Sequence, residues 1–203
     1  MLLAIDTSAG TSVAVVDREG GILAEHSSDD TRRHAEVVGE LIAACLADSR
    51  VPVAKLSGVV AGMGPGPFTG LRVGIAAARA FAFGAGKIVV PIVSHDAIAF
   101  GEPGEFVVAT DARRHEVYWT VYSSPDATGL PTRKNGPSLA KATELESLAA
   151  GYRLIEAKTV SAGSLGMLAE TLYINKRPFA ADEPLYLRSP DVTLSAGPKR
   201  VTS

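Results

Sequence analysis

The turn that follows the first apolar run contains the residue types that a phosphate site requires. Asp6 ends the run, and Thr7, Ser8, Gly10 and Thr11 come directly after it. A glycine lets phosphate approach the backbone closely, hydroxyl groups donate hydrogen bonds to phosphate oxygens, and a carboxylate can hold magnesium or activate an acceptor. These five residues are therefore candidate contacts to a nucleotide or phosphate group.

A second turn, Asp111–Glu116, supplies the charged groups of a possible opposite wall. Asp111 ends another apolar run, so we include it among the candidate nucleotide contacts. The turn contains no glycine, and Arg113, Arg114 and His115 are bulky where phosphate would approach the backbone. The two arginines either bind an anion or are ordinary surface charges. A phosphotransferase that holds ATP phosphates between two turns needs glycine in both turns. We therefore predict no catalytic residue and no catalysis by the chain alone.

The segment Gly62–Gly74 leaves an apolar strand and enters a helix through a run of glycine and proline. Its glycines permit positive φ angles and close backbone contacts, and its prolines stiffen the path between them. Thr69 is suited to cap the helix, whose N-terminal amides attract anions. The segment either binds phosphate or forms a rigid corner without a ligand, since it lacks the Lys-Ser/Thr pair of a P-loop. The residues expected to define this structural loop are Gly64, Pro65, Gly66, Thr69, Gly70 and Arg72.

Histidine and cysteine are too sparse for a metal site or an activated nucleophile. The four histidines are widely separated, and the residue four positions after His95 is Ala99, so no pair of ligands shares a helix face. Cys45 lies in an Ala/Leu-rich helical pattern, which favours a small buried residue. We predict no metal and no tightly bound cofactor.

The elements that would position these residues alternate between strand and helix. Three strands form an antiparallel meander, and two further strands each follow a helix, which predicts right-handed crossovers and a partly parallel sheet. The predicted strands are Leu2–Ile5, Thr11–Val16, Ile22–His26, Leu56–Ala61 and Ile88–Val93. The predicted helices begin at Thr31 or His34, span Leu71–Phe83, and begin again at Asp96–Phe100.

The opening pattern returns after a Gly-Glu-Pro-Gly break at residues 101–104. Phe106–Ala109 is apolar, Asp111 follows it, and Val117–Tyr122 is typical of a strand. Either the chain contains a duplicated lobe, as in the actin-like phosphotransferase fold, or two hairpins each carry an Asp at a turn, where Asp is favoured.

We predict an α/β protein with an N-terminal lobe at residues 1–101 and a smaller C-terminal lobe at residues 105–203. In the second lobe the patterns predict a helix, a strand and a helix with Ser164 as its N-cap. These elements are Leu139–Ala150, Arg153–Ala157 and Ser164–Tyr173. The stretch 151–161 is short for a βαβ lobe, which suggests that a segment there is deleted or missing.

The helix predicted at Leu71–Phe83 is apolar almost all round. One face must cover the sheet, and a bare alanine-rich opposite face would leave a large apolar patch in water. We predict that this face and the helix His34–Asp48 form a subunit interface; the alternative is that the second lobe covers it. The predicted interface residues are Val37, Val38, Leu41, Ile42, Cys45, Arg72, Ala76, Ala77, Ala80 and Phe81.

The composition is that of an ordinary globular protein, with 203 residues, 46% of them apolar and 21% charged. A net charge of −2 argues against nucleic-acid binding by the chain alone, because phosphate neutralisation needs a basic excess. A single cysteine fits a reducing compartment. The first apolar run is too short for a signal peptide, and no run approaches the ~20 residues that span a bilayer. We expect a cytoplasmic protein with no membrane association.

Five segments resemble the TsaB (YeaZ) family, in the family's order and over nearly the whole chain. The glycine/proline run followed by Phe-Thr-Gly-Leu-Arg is highly specific, although the family usually has Ser at the position of Pro67. The segments are 4–8 (AIDTS), 33–36 (RHAE), 64–74 (GPGPFTGLRVG), 111–118 (DARRHEVY) and 184–188 (PLYLR). The resemblance is weakest over residues 139–161.

This resemblance implies an actin-like (ASKHA, ribonuclease H-like) fold, in which each lobe is a mixed sheet with helices. It also implies a role in making N6-threonylcarbamoyladenosine (t6A) in tRNA, as an accessory subunit that pairs with a TsaD-type transferase and a TsaE-type ATPase. In that role tRNA is contacted only indirectly, ATP or ADP is possible at the junction of the complex, and a homodimer is possible when the chain is alone. The alternatives are a stand-alone ATP-binding protein or kinase of this fold, and a module that senses ATP or ADP without chemistry.

Overall fold

The computed structural model describes residues 1–188, which form two β-sheets and five α-helices. The strands are β1 (Leu2–Asp6), β2 (Thr11–Asp17), β3 (Gly21–Ser28), β4 (Gly58–Gly62), β5 (Ile88–Ile92), β6 (Phe106–Arg113), β7 (Glu116–Ser123), β8 (Thr132–Lys141) and β9 (Arg153–Ala157). The helices are α1 (His34–Ser49), α2 (Phe68–Ala85), α3 (Ser94–Ala99), α4 (Leu145–Leu148) and α5 (Ala162–Ile174).

The first sheet has the strand order β3-β2-β1-β4-β5. β1 is antiparallel to β2 and parallel to β4, and β4 is parallel to β5. The predicted meander with a parallel extension is therefore confirmed.

The second sheet has the order β8-β7-β6-β9, in which β6 is antiparallel to β7 and parallel to β9. A meander followed by a parallel strand thus occurs twice, and the predicted two-lobed α/β fold is confirmed. We call the first sheet with α1, α2, α3 and α5 the first lobe, and the second sheet with α4 the second lobe. The predicted boundary between residues 101 and 105 falls in the connection from α3 to β6.

Helices cover both faces of the first sheet, so its central strands are apolar throughout and do not alternate. α1 and α2 pack on the face that carries Leu3 and Ile5. α3 and α5 pack on the opposite face, which carries Leu2 and Ala4.

Helix α2 begins earlier than predicted. Pro67 has an extended backbone at the N-cap position, and the helix starts at Phe68. Thr69, Gly70 and Arg72 are therefore helical residues and do not belong to the loop. Thr69 does not cap the helix, since no side chain makes a capping hydrogen bond there.

The helix predicted at Leu139–Ala150 is wrong. Its first residues, Leu139–Lys141, end strand β8, and only Leu145–Leu148 are α-helical. Strand β8 pairs with β7 across two register shifts and contains Gly136 and Pro137, so it lacks the alternation that identifies a strand from sequence.

Helix α5 follows the second sheet in the chain but packs against β1 and β2 of the first. It begins at Ala162, and the hydroxyl of Ser161 accepts the N–H of Ser164 at 3.0 Å, so Ser161 is the cap and not Ser164. Within residues 1–188, no helix combines the length and apolar character needed to cross a bilayer. Residues 189–203 of the predicted second lobe lie outside the described part.

Candidate functional site

A cleft of about 470 Å³ lies between the two lobes. The first lobe contributes Ala9, Thr31 and Pro67 to its wall. The second lobe contributes three acidic side chains, Asp111, Glu116 and Glu156, two basic ones, Arg113 and Lys158, and the imidazole of His115. The cleft therefore carries mixed charge and has no excess of positive charge.

Asp6 does not reach this cleft. Its carboxylate is buried, where Oδ1 accepts the N–H and hydroxyl of Ser8 at 2.7 and 2.6 Å, and Oδ2 accepts the hydroxyl of Ser94 at 2.5 Å. Burial raises the pKa of Asp6, while the hydrogen bonds from Ser8 and Ser94 oppose that shift. The residue is an internal acceptor at the centre of the first lobe.

Glycines of the predicted loop and of helix α2 press directly against the turn after Asp6. A Cβ on Gly66 would lie 2.6 Å from the carbonyl oxygen of Ser8, and a Cβ on Gly74 would overlap Oγ1 of Thr7. That Oγ1 accepts the N–H of Gly74 at 2.9 Å and donates to the carbonyl of Gly70 at 2.7 Å. These glycines serve close packing, which is the geometry of a rigid corner.

The remaining candidates in the first turn are also buried. Thr11 shares a 2.7 Å hydrogen bond with Nδ1 of His34, the first residue of α1. A Cβ on Gly10 would lie 2.6 Å from the carbonyl oxygen of Ser28 and 2.9 Å from Oγ1 of Thr159. Of the six candidate phosphate contacts, the cleft wall therefore includes only Asp111.

The turn Arg113–His115 adopts an unusual backbone. Its three residues have φ angles of 66°, 53° and 61°, a left-handed conformation that favours glycine or asparagine. Asp111 accepts the N–H of Arg113 at 2.9 Å, and the Arg113 guanidinium donates to the hydroxyl of Thr31 on the first lobe. The second turn is thus folded back on itself and reaches across the mouth of the cleft.

His95 has a role that sequence reasoning missed. It is buried in helix α3, and its two ring nitrogens lie 2.7 Å from Oγ1 of Thr120 and 2.9 Å from Oγ1 of Thr110. Burial lowers the pKa of His95 to about 3, so the ring is neutral at physiological pH. No group of three or more His, Cys, Asp or Glu side chains is placed to hold a metal ion within residues 1–188.

Two of the predicted interface residues belong to the core of the chain itself. Val38 and Cys45 are buried among the residues that join α1 and α2 to the first sheet, so they are not available to a partner. The thiol of Cys45 donates to the carbonyl of Val13 at 2.9 Å, and burial raises its pKa to about 11. The other predicted interface residues are exposed or part-exposed, namely Val37, Leu41, Ile42, Arg72, Ala76, Ala77, Ala80 and Phe81.

Comparison with known proteins gives matches over most of the chain. Residues 5–167 match the family model described as TsaD, tRNA N6-adenosine threonylcarbamoyltransferase. An uncharacterized protein of Mycobacterium tuberculosis is 38% identical over 198 residues, which cover 94% of this chain and 92% of that protein. The tRNA threonylcarbamoyladenosine biosynthesis protein TsaB of Haemophilus influenzae is 36% identical over 59% of this chain, and the match spans about half of that relative, 52%.

The fold is also found in a solved structure. YeaZ from Pseudomonas aeruginosa superposes with a TM-score of 0.74 at 23% identity, covering 92% of this chain and 99% of that one. At this identity the likeness establishes a shared fold.

Proposed function

Because the chain belongs to the TsaD family, and within it to the TsaB (YeaZ) type, we propose that it is an accessory subunit in the biosynthesis of threonylcarbamoyladenosine in tRNA. The name of the Haemophilus influenzae relative and the description of the matching family model both support this assignment. In this proposal the chain pairs with a TsaD-type transferase, and a TsaE-type ATPase joins the pair.

The main support for an accessory role is the turn after Asp6, whose hydrogen-bond donors and backbone surface are already occupied within the lobe. The N–H and hydroxyl of Ser8 are donated to Asp6, and Gly66 packs against the Ser8 backbone. Groups that would otherwise face a phosphate are engaged inside the lobe. We infer that chemistry on a nucleotide or tRNA takes place on a partner, and that ATP or ADP, where it takes part, binds at the junction.

The outer face of α1 and α2 supports the pairing. α2 exposes Ala76 and Ala80, and Phe83 at its end is 91% exposed. α1 exposes Gly39 and Ala43 at the same spacing. Small side chains let a partner helix approach closely, and an exposed aromatic side chain is a typical anchor of a protein interface.

The charges on this face favour a partner with complementary charge. Glu40 on α1 and Arg72 on α2 are exposed, whereas the exposed Glu36 and Arg79 already pair with Arg33 and Asp182 of the chain itself. A helix pair that presents acidic groups beside basic groups could pack on the TsaD-type subunit or, in its absence, on a second copy of the chain. The net charge of −2 supports an indirect role toward tRNA.

The pairing is tested by Ala80→Glu, with Ala150→Glu as the matched control on the second lobe. Both alanines are exposed, so neither change should alter the far-ultraviolet circular dichroism or the unfolding temperature. We expect Ala80→Glu to weaken binding to the TsaD-type subunit encoded in the same genome by at least about tenfold, since it places a charge at the centre of the face. Ala150→Glu should bind like the unmodified chain.

Equal affinity of both variants for the transferase subunit would contradict the proposed face. Ala78 is unsuitable for this test because it is fully buried in the core. Magnesium-dependent ATP turnover by the purified chain, lost in Asp6→Asn, would instead contradict the accessory role and support the stand-alone kinase.

A further inference from the structure

Helix α3 starts with three polar residues that bond to different parts of the molecule. The first, Ser94, belongs to the hydrogen-bond network of the first lobe. Its hydroxyl donates to Asp6 of β1 and accepts the N–H of Gly64, and its own N–H donates to the carbonyl of Gly64 at 2.7 Å. These bonds hold the start of α3 against the ends of β1 and β4.

The second residue, His95, points to the other lobe. Thr110 lies on β6 and Thr120 on β7, and each shares a hydrogen bond with one nitrogen of the imidazole. All three side chains are buried, so these bonds are shielded from competition with water. Moving the second sheet away from α3 would leave buried polar groups without partners.

The third residue, Asp96, extends the contact along the second sheet. Its Oδ1 accepts the hydroxyl of Tyr122 on β7 at 2.7 Å, and its Oδ2 accepts the guanidinium of Arg133 on β8 at 2.8 Å. Tyr122 is fully buried and stacks on Phe106 with 5.5 Å between ring centroids. Asp96 therefore adds a second contact to β7 and a first contact to β8.

We propose that Ser94, His95 and Asp96 form an interlobe lock, a set of consecutive side chains that holds the two sheets in one relative orientation. The lock makes the cleft a preformed space of fixed width and makes the chain a rigid body toward a partner. This inference stands apart from the proposed function, because it concerns the isolated chain.

Further polar contacts between the lobes lie nearer the surface. Arg113 donates to Thr31 at the mouth of the cleft, and Arg177, after α5, donates to Asp126 between β7 and β8 at 2.9 Å. Arg188 donates to the carbonyl of Ala112 at 3.2 Å in a part-buried bond. Exposed hydrogen bonds of this kind contribute less than buried ones, so they should not preserve the orientation when the lock is removed.

The lock is tested by electron–electron distance measurements between nitroxide labels on Glu19→Cys in the first lobe and Glu146→Cys in the second. Both positions are exposed. Cys45 is buried with a raised pKa, so it stays unlabelled in the folded chain. We expect one narrow distance distribution, unchanged by magnesium-ATP.

His95→Ala removes the central contact, and His34→Ala is the matched control. His34 is also a buried histidine bonded to a threonine, Thr11, but both of these residues lie in the first lobe. We expect His95→Ala at least to double the width of the distribution and His34→Ala to leave it unchanged. If His95→Ala does not fold, Tyr122→Phe removes one bond to Asp96, keeps the ring and should broaden the distribution by a smaller amount.

Either of two results would overturn the proposal. One is a broad or ATP-dependent distribution in the unmutated chain, which would mean that the lobes move. The other is a lock variant whose distribution is no wider than that of His34→Ala, which would mean that apolar packing alone sets the orientation.

Discussion

Replacing His95 with glutamine tests the burial of the imidazole through the pH dependence of stability. Burial lowers the pKa of His95 from 6.5 to about 3 in the folded chain, whereas the unfolded chain keeps the higher value. Between these two values only the unfolded state takes up the proton. The free energy of unfolding therefore falls as the pH decreases, by about 1.4 kcal/mol per pH unit, and is independent of this group above its unfolded pKa.

Between about pH 8 and about pH 5, the titration of His95 lowers the free energy of unfolding by about 2 kcal/mol. Urea unfolding, followed at several pH values by the fluorescence of the single tryptophan, Trp119, measures it. Glutamine can hydrogen-bond to Thr110 and Thr120 but does not titrate. The free energy of unfolding of His95→Gln should therefore not show this decrease between pH 8 and pH 5.

The other titratable groups near this site are present in both proteins, so the difference between the two stability curves reports mainly on His95. The positive charge of Arg133 also lowers the pKa of His95, and burial raises the pKa of the carboxyls of Asp6 and Asp96. Parallel stability curves of His95→Gln and the unmodified chain down to about pH 5 would refute the reasoning, since the imidazole would then be charged or solvated in the folded state.

Two further predictions concern backbone positions. Gly74→Ala should lower the free energy of unfolding by about 1–3 kcal/mol, because the added Cβ overlaps Thr7, whereas Gly84→Ala, with open space around it in the same helix, should raise it by up to about 1 kcal/mol. Thermal unfolding measures both, and equal shifts would contradict the close packing of α2 on the turn. His115→Gly should stabilise the chain by about 1 kcal/mol, since φ is 61° there, while His115→Ala, which keeps the Cβ, should not. A gain in both variants would point to the lost imidazole and not to the backbone.

The first lobe could be predicted from the sequence because its strands and helices have strong, simple patterns. Strand β1 is apolar and ends at a turn residue, Asp6. The helical spacing of apolar residues predicts α1 with a start at Thr31 or His34, and the helix begins at the second of these. The start of α2 was harder to predict from the sequence. Glycine and proline at 64–67 indicate a loop, but only the extended backbone of Pro67 shows that Phe68 begins the helix.

The second lobe was harder because its elements are short and irregular. Strand β8 is rich in polar residues and shifts register twice, so neither alternation nor propensity identifies it. Leu145, Leu148 and Ala149 recur at helical spacing, but the apolar residues Leu139 and Ala140 before them belong to the end of strand β8. The pattern was apolar enough for a helix, and tertiary pairing with β7 overrode it.

For the candidate site, the sequence predicts the residue types but not their hydrogen-bond partners. Residue types around Asp6 and His95 suggested a phosphate turn and a lone imidazole, but sequence does not reveal which donors meet which acceptors. The signal that could have indicated the lock is the Ser-His-Asp triplet at the start of α3, three polar residues directly after an apolar strand. Such a triplet has either a solvent-facing or an internal role, and only the position of the second sheet decides between them.

Internal hydrogen bonds explain why the turn after Asp6 has the composition of a phosphate site but no donors free to bind phosphate. The Ser8 amide and hydroxyl and the Ser94 hydroxyl all donate to Asp6, so the buried carboxylate is held by three short hydrogen bonds. An incoming phosphate would have to take the Ser8 donors from that carboxyl group, which would then be buried without them. It would also have to displace Gly66, which already contacts the Ser8 backbone. Each requirement is unfavourable. The glycines beside this turn therefore serve the close packing of helix α2 and the loop before it on the turn.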